Sequence, residues 1–261
     1  MSMTAGLGIP SDVLPFAPDA AIRRVHREAA LLLGGGRALL MQIAHPAVAR
    51  GVAEHSDYAA QRWRRLLRTL RPMYAIAFGN ADQARAAAEG IKQMHEYVRG
   101  PGYEARDPAL LLWVLATLID SSLEMHARFL GPLPPHDAEA YYADMRRVGE
   151  LLQVPPASLP SDLAAFRAHF DVQLAELRVT DDARAVAAEL LRYTPLNAPF
   201  IAPLRLLTGG TLPPRLREQY GFSWSRPQDT LLRSLQTASR ATLPRLPLAL
   251  RCTPWFLMPP P

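Results

Sequence analysis

The chain has 261 residues, of which 49% are hydrophobic and 20% are charged, so it is long enough to bury a substantial core in one large domain. It carries 29 Lys and Arg against 24 Asp and Glu, a formal net charge of +5. The excess is mostly arginine scattered along the chain, and no basic segment is interleaved with aromatic residues. We therefore expect no nucleic-acid partner.

The sequence shows no sign of export or of a membrane span. Cys252 is the only cysteine, which excludes an internal disulfide framework and is compatible with a reducing compartment. The first 20 residues are small, polar and punctuated by proline, unlike a secretory signal. The longest apolar run, residues 109–119, is too short to cross a bilayer and is followed by Asp120. We expect a cytoplasmic protein without a transmembrane segment, although contact with a membrane surface stays open.

Helical periodicity dominates the first part of the chain. Residues 19–45 repeat apolar side chains at helical spacing, with three consecutive glycines, 34–36, marking a break or a close-packed point. Pro46 then begins a new helix or kinks the chain, because it lacks the amide hydrogen that an interior helical position needs. The next helix covers residues 58–70 and is predicted to end at Pro72.

The following helices carry recognisable end signals. Asn80 and Gln83 have the spacing of a capping box, and that helix is predicted to stop at Gly100. Asp107 and Pro108 begin another helix, which is predicted to end at Gly131. Three further helical segments cover residues 136–153, 161–177 and 180–193, and we find no clear strand with alternating β-branched residues.

The chain changes character from about residue 195. Clusters of proline divide it into short pieces, which we expect to be helices joined by rigid turns that wrap the preceding bundle, with Trp224, Trp255 and Phe256 as anchors. The predicted fold is all-α, a single-domain helical bundle. We divide it into an N-terminal extension, a helical domain and a proline-rich tail packed on that domain, at residues 1–20, 21–235 and 236–261.

His95 is the first candidate functional residue. It continues the apolar stripe of Ala84, Ala88 and Ile91, so we expect it to face the core. A hydrogen bond to a backbone carbonyl is the commoner role of such a histidine. The alternative is an axial ligand of a haem iron, since haem is often held by a single imidazole in an apolar pocket.

The helix of residues 62–70 offers polar groups on a second face. Arg65 and Thr69 lie one turn apart, with Arg68 beside them. Periodicity alone favours a solvated basic face. The functional alternative directs their donors at bound dioxygen or at haem propionates.

Several motifs in order resemble the MpaB/rubber-oxygenase (latex clearing protein) catalytic-domain family. They cover roughly residues 20–150 and read "GGRALLMQIAHPAVARGVAEHSDY", "RRLLRTL", "FGNADQARAAAEGIKQMHEYVRG", "YEARDPALLLWV" and "DAEAYYADM". The resemblance implies a globin-like haem b protein that uses dioxygen on a small apolar substrate, either an isoprenoid or another unsaturated compound. The family's best-known members cleave isoprenoid carbon–carbon double bonds.

The resemblance also assigns residues. The family's Arg-x-x-Lys-Thr motif falls on Arg65, Arg68 and Thr69, and its proximal haem histidine falls on His95. His45 and His55 resemble family-typical positions near the haem edge or between helices. Glu54 is a candidate for the family's distal glutamate. Arg68 replaces the family's lysine, and a guanidinium has no lone pair to give to iron, so we expect Arg68 to pair with a propionate or a carboxylate instead.

Other functions have less support. A di-iron bundle needs inward Glu-x-x-His pairs, a zinc hydrolase needs a motif such as His-Glu-x-x-His, and an α/β-hydrolase needs a Gly-x-Ser-x-Gly elbow; none of these motifs occurs. The remaining alternative is a non-catalytic helical protein that binds haem, senses a ligand or carries an apolar compound. The sequence identifies neither the substrate nor the oligomeric state.

Overall fold

The computed structural model describes residues 16–55, 62–192, 194, 197–254 and 257–259, and for residues 62–68 it describes the backbone only. The helices in these ranges are α1 Ala21–His26, α2 Gly35–Ile43, α3 Pro46–His55, α4 Arg62–Phe78, α5 Ala81–Tyr97, α6 Pro108–Phe129, α7 Pro135–Leu151, α8 Leu163–Glu176, α9 Asp181–Leu190, α10 Ala198–Thr211, α11 Pro214–Gln219, α12 Arg226–Thr242 and α13 Leu248–Arg251. Short 3-10 turns occupy Ala29–Gly34, Pro156–Ser158 and Leu243–Arg245. The predicted all-α class is confirmed.

Three of the predicted end signals operate as expected. Asn80 and Gln83 form a reciprocal capping box at the start of α5. The Asp107 carboxylate accepts from the Ala109 amide at the start of α6, with Pro108 at its first position. Gly131 follows α6 with a φ of +107°, the left-handed region that glycine adopts without strain.

Helix α6 runs through the centre of the molecule, between α2 and α7. The apolar run does not end at Asp120, because this carboxylate pairs with the buried Arg37 of α2 at 2.6 Å and the helix continues to Phe129. At 22 residues, α6 is therefore long and apolar enough to cross a membrane by length and composition, with a mean hydropathy of 1.4 over its 18-residue window. However, 56% of that window is buried inside the protein, as in the core helix of a globular protein.

Three expectations about element boundaries are wrong. Helix α5 ends at Tyr97, and Gly100 lies in a short strand instead of a left-handed helix stop, because the chain turns back after the helix. Helix α4 continues through Pro72 to Phe78, because burial of Tyr74, Ile76 and Ala77 outweighs one missing backbone hydrogen bond. The helical stretch predicted over residues 19–45 is interrupted after His26, before the three glycines at 34–36. Gly34 and Gly36 mark close packing, as predicted, because an added Cβ would collide with Met125 and Thr208, whereas Gly35 has open space beside it.

One small sheet was not predicted. Strands β1 (Arg99–Gly100) and β2 (Tyr103–Glu104) form an antiparallel hairpin directly after α5. The turn between them contains Pro101 and Gly102, and Gly102 has a φ of +81°. This turn folds the chain back onto α3.

The C-terminal strap, residues 248–254, ties the end of the chain to α1. The Thr253 amide donates to the Arg27 carbonyl at 2.6 Å, and its hydroxyl donates to the His26 carbonyl at 2.9 Å. Cys252 forms an isolated antiparallel bridge with Glu28. At this point the C-terminal segment contacts the bundle. The predicted anchors Trp255 and Phe256 lie outside the described residues.

Candidate functional site

His95 lies in the last turn of α5, at the edge of the core. Ala84 and Ala88 are buried on the same side of the helix, whereas Ile91 and His95 are half-buried. The His95 ring borders a cavity of about 10 Å³, which has space for about one water molecule. The apolar part of the cavity wall is formed by Ala88, Ile91, Leu111, Leu151 and Leu152.

The imidazole of His95 is an available electron-pair donor. Burial lowers its pKa below the ordinary value of 6.5, so the ring is neutral at neutral pH and keeps one nitrogen lone pair. Within the described part of the chain, neither ring nitrogen has a hydrogen-bond partner. The backbone-carbonyl partner that a structural histidine usually has is not found among these residues.

Helices α4 and α5 place the backbones of Arg65 and His95, two predicted site residues, at the same distance from the turn that joins the helices. They are joined by Gly79 and Asn80 alone and pack against each other, which makes them an antiparallel hairpin. Arg65 and His95 are each about 20 Å from the connecting turn, at a rise of 1.5 Å per residue. Their backbones therefore lie at the same level of the hairpin.

The structure tests the arginine and threonine positions only in part. Arg65 and Arg68 lie in α4, but their side chains fall outside the described residues. Thr69 is exposed, one helical turn closer to the connecting loop than Arg65. The roles of all three residues stay predictions.

His55 belongs to a polar cluster at the end of α3. The Tyr103 hydroxyl donates to Glu54 Oε2 at 2.5 Å and lies 3.0 Å from His55 Nε2. Since the hydroxyl proton goes to Glu54, its oxygen can accept the Nε2 proton of His55. The Glu54 carboxylate raises the pKa of Tyr103. The three side chains form the chain His55, Tyr103, Glu54, in which each proton is directed toward the carboxylate.

This cluster lies at the same end of α5 as His95, because β1 and β2 follow that helix directly. Sequence reasoning singled out Glu54 and His55 and missed Tyr103. The signal that could have found it is the Gly100–Pro101–Gly102 sequence, which predicts a tight turn returning Tyr103 toward preceding structure.

His45 has a structural role in the described residues. Its Nδ1 accepts a hydrogen bond from the Ala47 amide at 3.3 Å, so the ring satisfies a free amide at the start of α3. Burial lowers the pKa of His45, and nearby Asp107 opposes this shift. His45 is not brought together with His55 or His95.

Comparisons with known proteins identify the family of this chain. Residues 22–241 match the family described as "ER-bound oxygenase mpaB/B'/Rubber oxygenase, catalytic domain". The chain belongs to this family. Two relatives, described as uncharacterized proteins of Mycobacterium bovis and Mycobacterium tuberculosis, are each 32% identical to it over 220 residues, covering 77% of this chain and 86% of the relative. No solved structure was found to match the chain. The family is an oxygenase catalytic domain, as the sequence motifs predicted.

Proposed function

We propose that the protein is a haem b-dependent oxygenase that acts on a small, apolar, unsaturated substrate, with His95 as the axial ligand. The observation that carries this proposal is the His95 ring itself, half-buried and without a hydrogen-bond partner among the described residues. Its lowered pKa favours the neutral form that a metal requires. Membership of an oxygenase family supports the reaction class.

The residues around His95 fit the chemistry of a haem. Alanine, isoleucine and leucine side chains form an apolar wall, and Lys92 and Arg106 contribute cations to the same cavity. These two cations are suited to the propionates, with Arg68 as a further candidate. The cavity of about 10 Å³ is far smaller than a macrocycle, so binding requires α5 to separate from the ends of α6 and α7.

The polar side chains have distinct proposed tasks. Haem, when bound, supplies the iron that activates dioxygen. Arg65 and Thr69 present a guanidinium and a hydroxyl, both donors that stabilise developing negative charge. The Glu54 carboxylate accepts a hydrogen bond from the Tyr103 hydroxyl, whose oxygen lies 3.0 Å from His55 Nε2, so the cluster orients the His55 ring.

Haem titration tests the ligand assignment. We expect the wild-type protein to develop a Soret band at one haem per chain, and His95→Ala to lose most of it. His169→Ala is the matched control, because His169 is also half-buried on a helix, α8. Equal Soret bands in His95→Ala and the wild type would show that His95 is not the ligand.

Dioxygen consumption with a short isoprenoid alkene tests the reaction. Arg65→Ala should lower kcat by about a hundredfold or more, the usual cost of losing one well-placed donor. Haem content should stay at the wild-type level, so the loss can be assigned to turnover. If Arg65→Ala matches the wild type in turnover and autoxidation, the proposed position of the guanidinium is wrong.

A further inference from the structure

A second cavity lies away from His95, between α1, the turn that joins α6 to α7, and the C-terminal strap. Its volume is about 210 Å³, which suits a compound smaller than the drug-sized ligands of common binding pockets. Ala21, Val25 and Leu133 form its apolar wall. The cavity therefore has both room for a ligand and an apolar surface for it to contact.

The other side of this cavity is charged. Arg24, Arg27 and Arg251 face two carboxylates, Glu28 and Asp137, so the lining carries one excess positive charge. The Arg24 guanidinium pairs with Asp137 at 2.5 Å. The excess charge is therefore concentrated around Arg27, Glu28 and Arg251.

Glu28 is buried, with 4% of its surface exposed, and only one of its oxygens is engaged. Oε1 accepts from Arg251 Nη1 at 2.5 Å, and Arg27 Nε lies 3.7 Å from the same oxygen, beyond hydrogen-bond length. Oε2 has no hydrogen-bond partner among the described residues, and neither do the Nε atoms of Arg27 and Arg251. Such a buried polar atom is costly unless a partner is supplied.

The unused groups define the ligand that would satisfy them. Two guanidinium Nε–H groups require an acceptor, and a carboxylate is the acceptor that arginine binds best. The free Glu28 oxygen requires a donor. Because the lining has a net positive charge, a neutral hydroxyl donor on an anion fits it better than an ammonium group does.

We propose that this cavity binds a small hydroxycarboxylate, with its carboxylate on Arg27 and Arg251 and its hydroxyl donating to Glu28. The strap supplies Arg251 and is fixed to α1 through Thr253. Binding is therefore expected to stabilise the attachment of the C-terminus. The site is separate from the proposed haem site, and its occupancy does not depend on haem.

Calorimetry with three matched probes tests the proposal on the full chain. Lactate, alanine and propionate share a three-carbon carboxylate and differ in carrying a hydroxyl, an ammonium or no donor. We expect lactate to bind one site per chain with a Kd of about 1 mM or tighter. Propionate and alanine should bind at least about tenfold more weakly.

Two variants locate the binding. Arg251→Gln should weaken lactate binding at least about tenfold, because it removes a charged donor. Leu133→Trp narrows the cavity more than any other single apolar replacement, keeps every charged group and should also weaken lactate binding, which gives a result even where Arg251→Gln fails to fold. Arg233→Gln, at a side chain 76% exposed on α12, should bind lactate like the wild type.

Three outcomes would overturn the proposal. If no probe saturates the wild type, the cavity holds only water. If propionate or alanine binds as tightly as lactate, the hydroxyl has no specific acceptor. If Leu133→Trp binds lactate like the wild type, the ligand lies elsewhere.

Discussion

The histidines of this protein differ because their surroundings differ. His26 is half-buried, and its Nε2 lies at hydrogen-bond distance, 3.0 Å, from the Tyr141 hydroxyl. His45 caps α3, and His55 contacts Tyr103. Among these four, His95 is the one without a hydrogen-bond partner in the described residues. At the scale of single residues, this is the difference between a structural imidazole and a candidate ligand.

The His26 ring predicts acid sensitivity. Burial lowers its pKa from 6.5 to about 4, so the folded state prefers the neutral ring. Its stabilising contribution is complete above pH 6.5 and is lost as the pH falls toward 4, by about 3 kcal/mol in all. Denaturant titrations between these pH values should show a smaller loss in His26→Gln than in the wild type.

The control for this prediction is His136→Gln, since the His136 side chain is 81% exposed. Its pH profile should follow the wild type. If His26→Gln also follows the wild type between pH 6.5 and 4, His26 does not carry the proton that unfolds the protein.

If the protein binds haem as proposed, Arg68 predicts how the resting iron is coordinated. Rubber oxygenases have a lysine at the matching position, which can coordinate iron as a sixth ligand, whereas a guanidinium cannot. The ferric protein should therefore be high-spin and should bind imidazole or cyanide without displacing a protein amine. Arg68→Lys should convert part of it to a low-spin form.

Absorption and electron paramagnetic resonance spectra measure the spin state of the ferric protein and test this prediction for Arg68. A wild-type ferric protein that is already low-spin with a nitrogenous protein ligand would contradict it. His45 and His55 would then be the first residues to replace.

At the scale of elements, prediction succeeded where the determining contacts are local. The Asn80 and Gln83 capping box and the Asp107 cap each depend on residues within one turn, so their spacing is visible in the sequence. The continuation of α4 beyond Pro72 depends on burial against distant helices, and no local sequence pattern indicates it. The bridge from Cys252 to Glu28 joins residues more than 200 positions apart, and it could not be predicted from the sequence either.

The strap is predicted to depend on the Thr253 hydroxyl. Thr253 is 2% exposed, and its hydroxyl donates to the His26 carbonyl and lies 3.1 Å from the Tyr74 hydroxyl. Thr253→Val should lower the free energy of unfolding by about 1–3 kcal/mol, because buried polar groups lose a partner. Chemical denaturation measures the change.

Thr208→Val is the matched control. Thr208 is completely buried, and its hydroxyl has no hydrogen-bond partner among the described residues. Replacing it with a methyl group should leave stability unchanged or raise it. Equal losses in both variants would show that side-chain shape, and not the hydrogen bonds, explains the effect of Thr253→Val.

At the scale of the whole molecule, the order of motifs predicted the family and the helical class, which the match over residues 22–241 and the structure confirm. Helical periodicity placed His95 on the side of α5 that carries Ala84 and Ala88, which are buried, whereas His95 is half-buried. It did not predict Tyr103 beside Glu54, because that contact depends on a hairpin returning to α3. The cavity at Arg27, Glu28 and Arg251 was also missed, since residues from both ends of the chain form it.

The central claim is that His95 holds haem in the assembled protein, and chemical rescue of the Soret band tests it most directly. His95→Gly removes the imidazole and leaves a space that free imidazole can enter. We predict that haem-loaded His95→Gly lacks the wild-type Soret band and regains it when imidazole is added, while the fold measured by circular dichroism stays the same. A wild-type Soret band in His95→Gly without imidazole, or a wild-type protein that binds no haem, would contradict the claim.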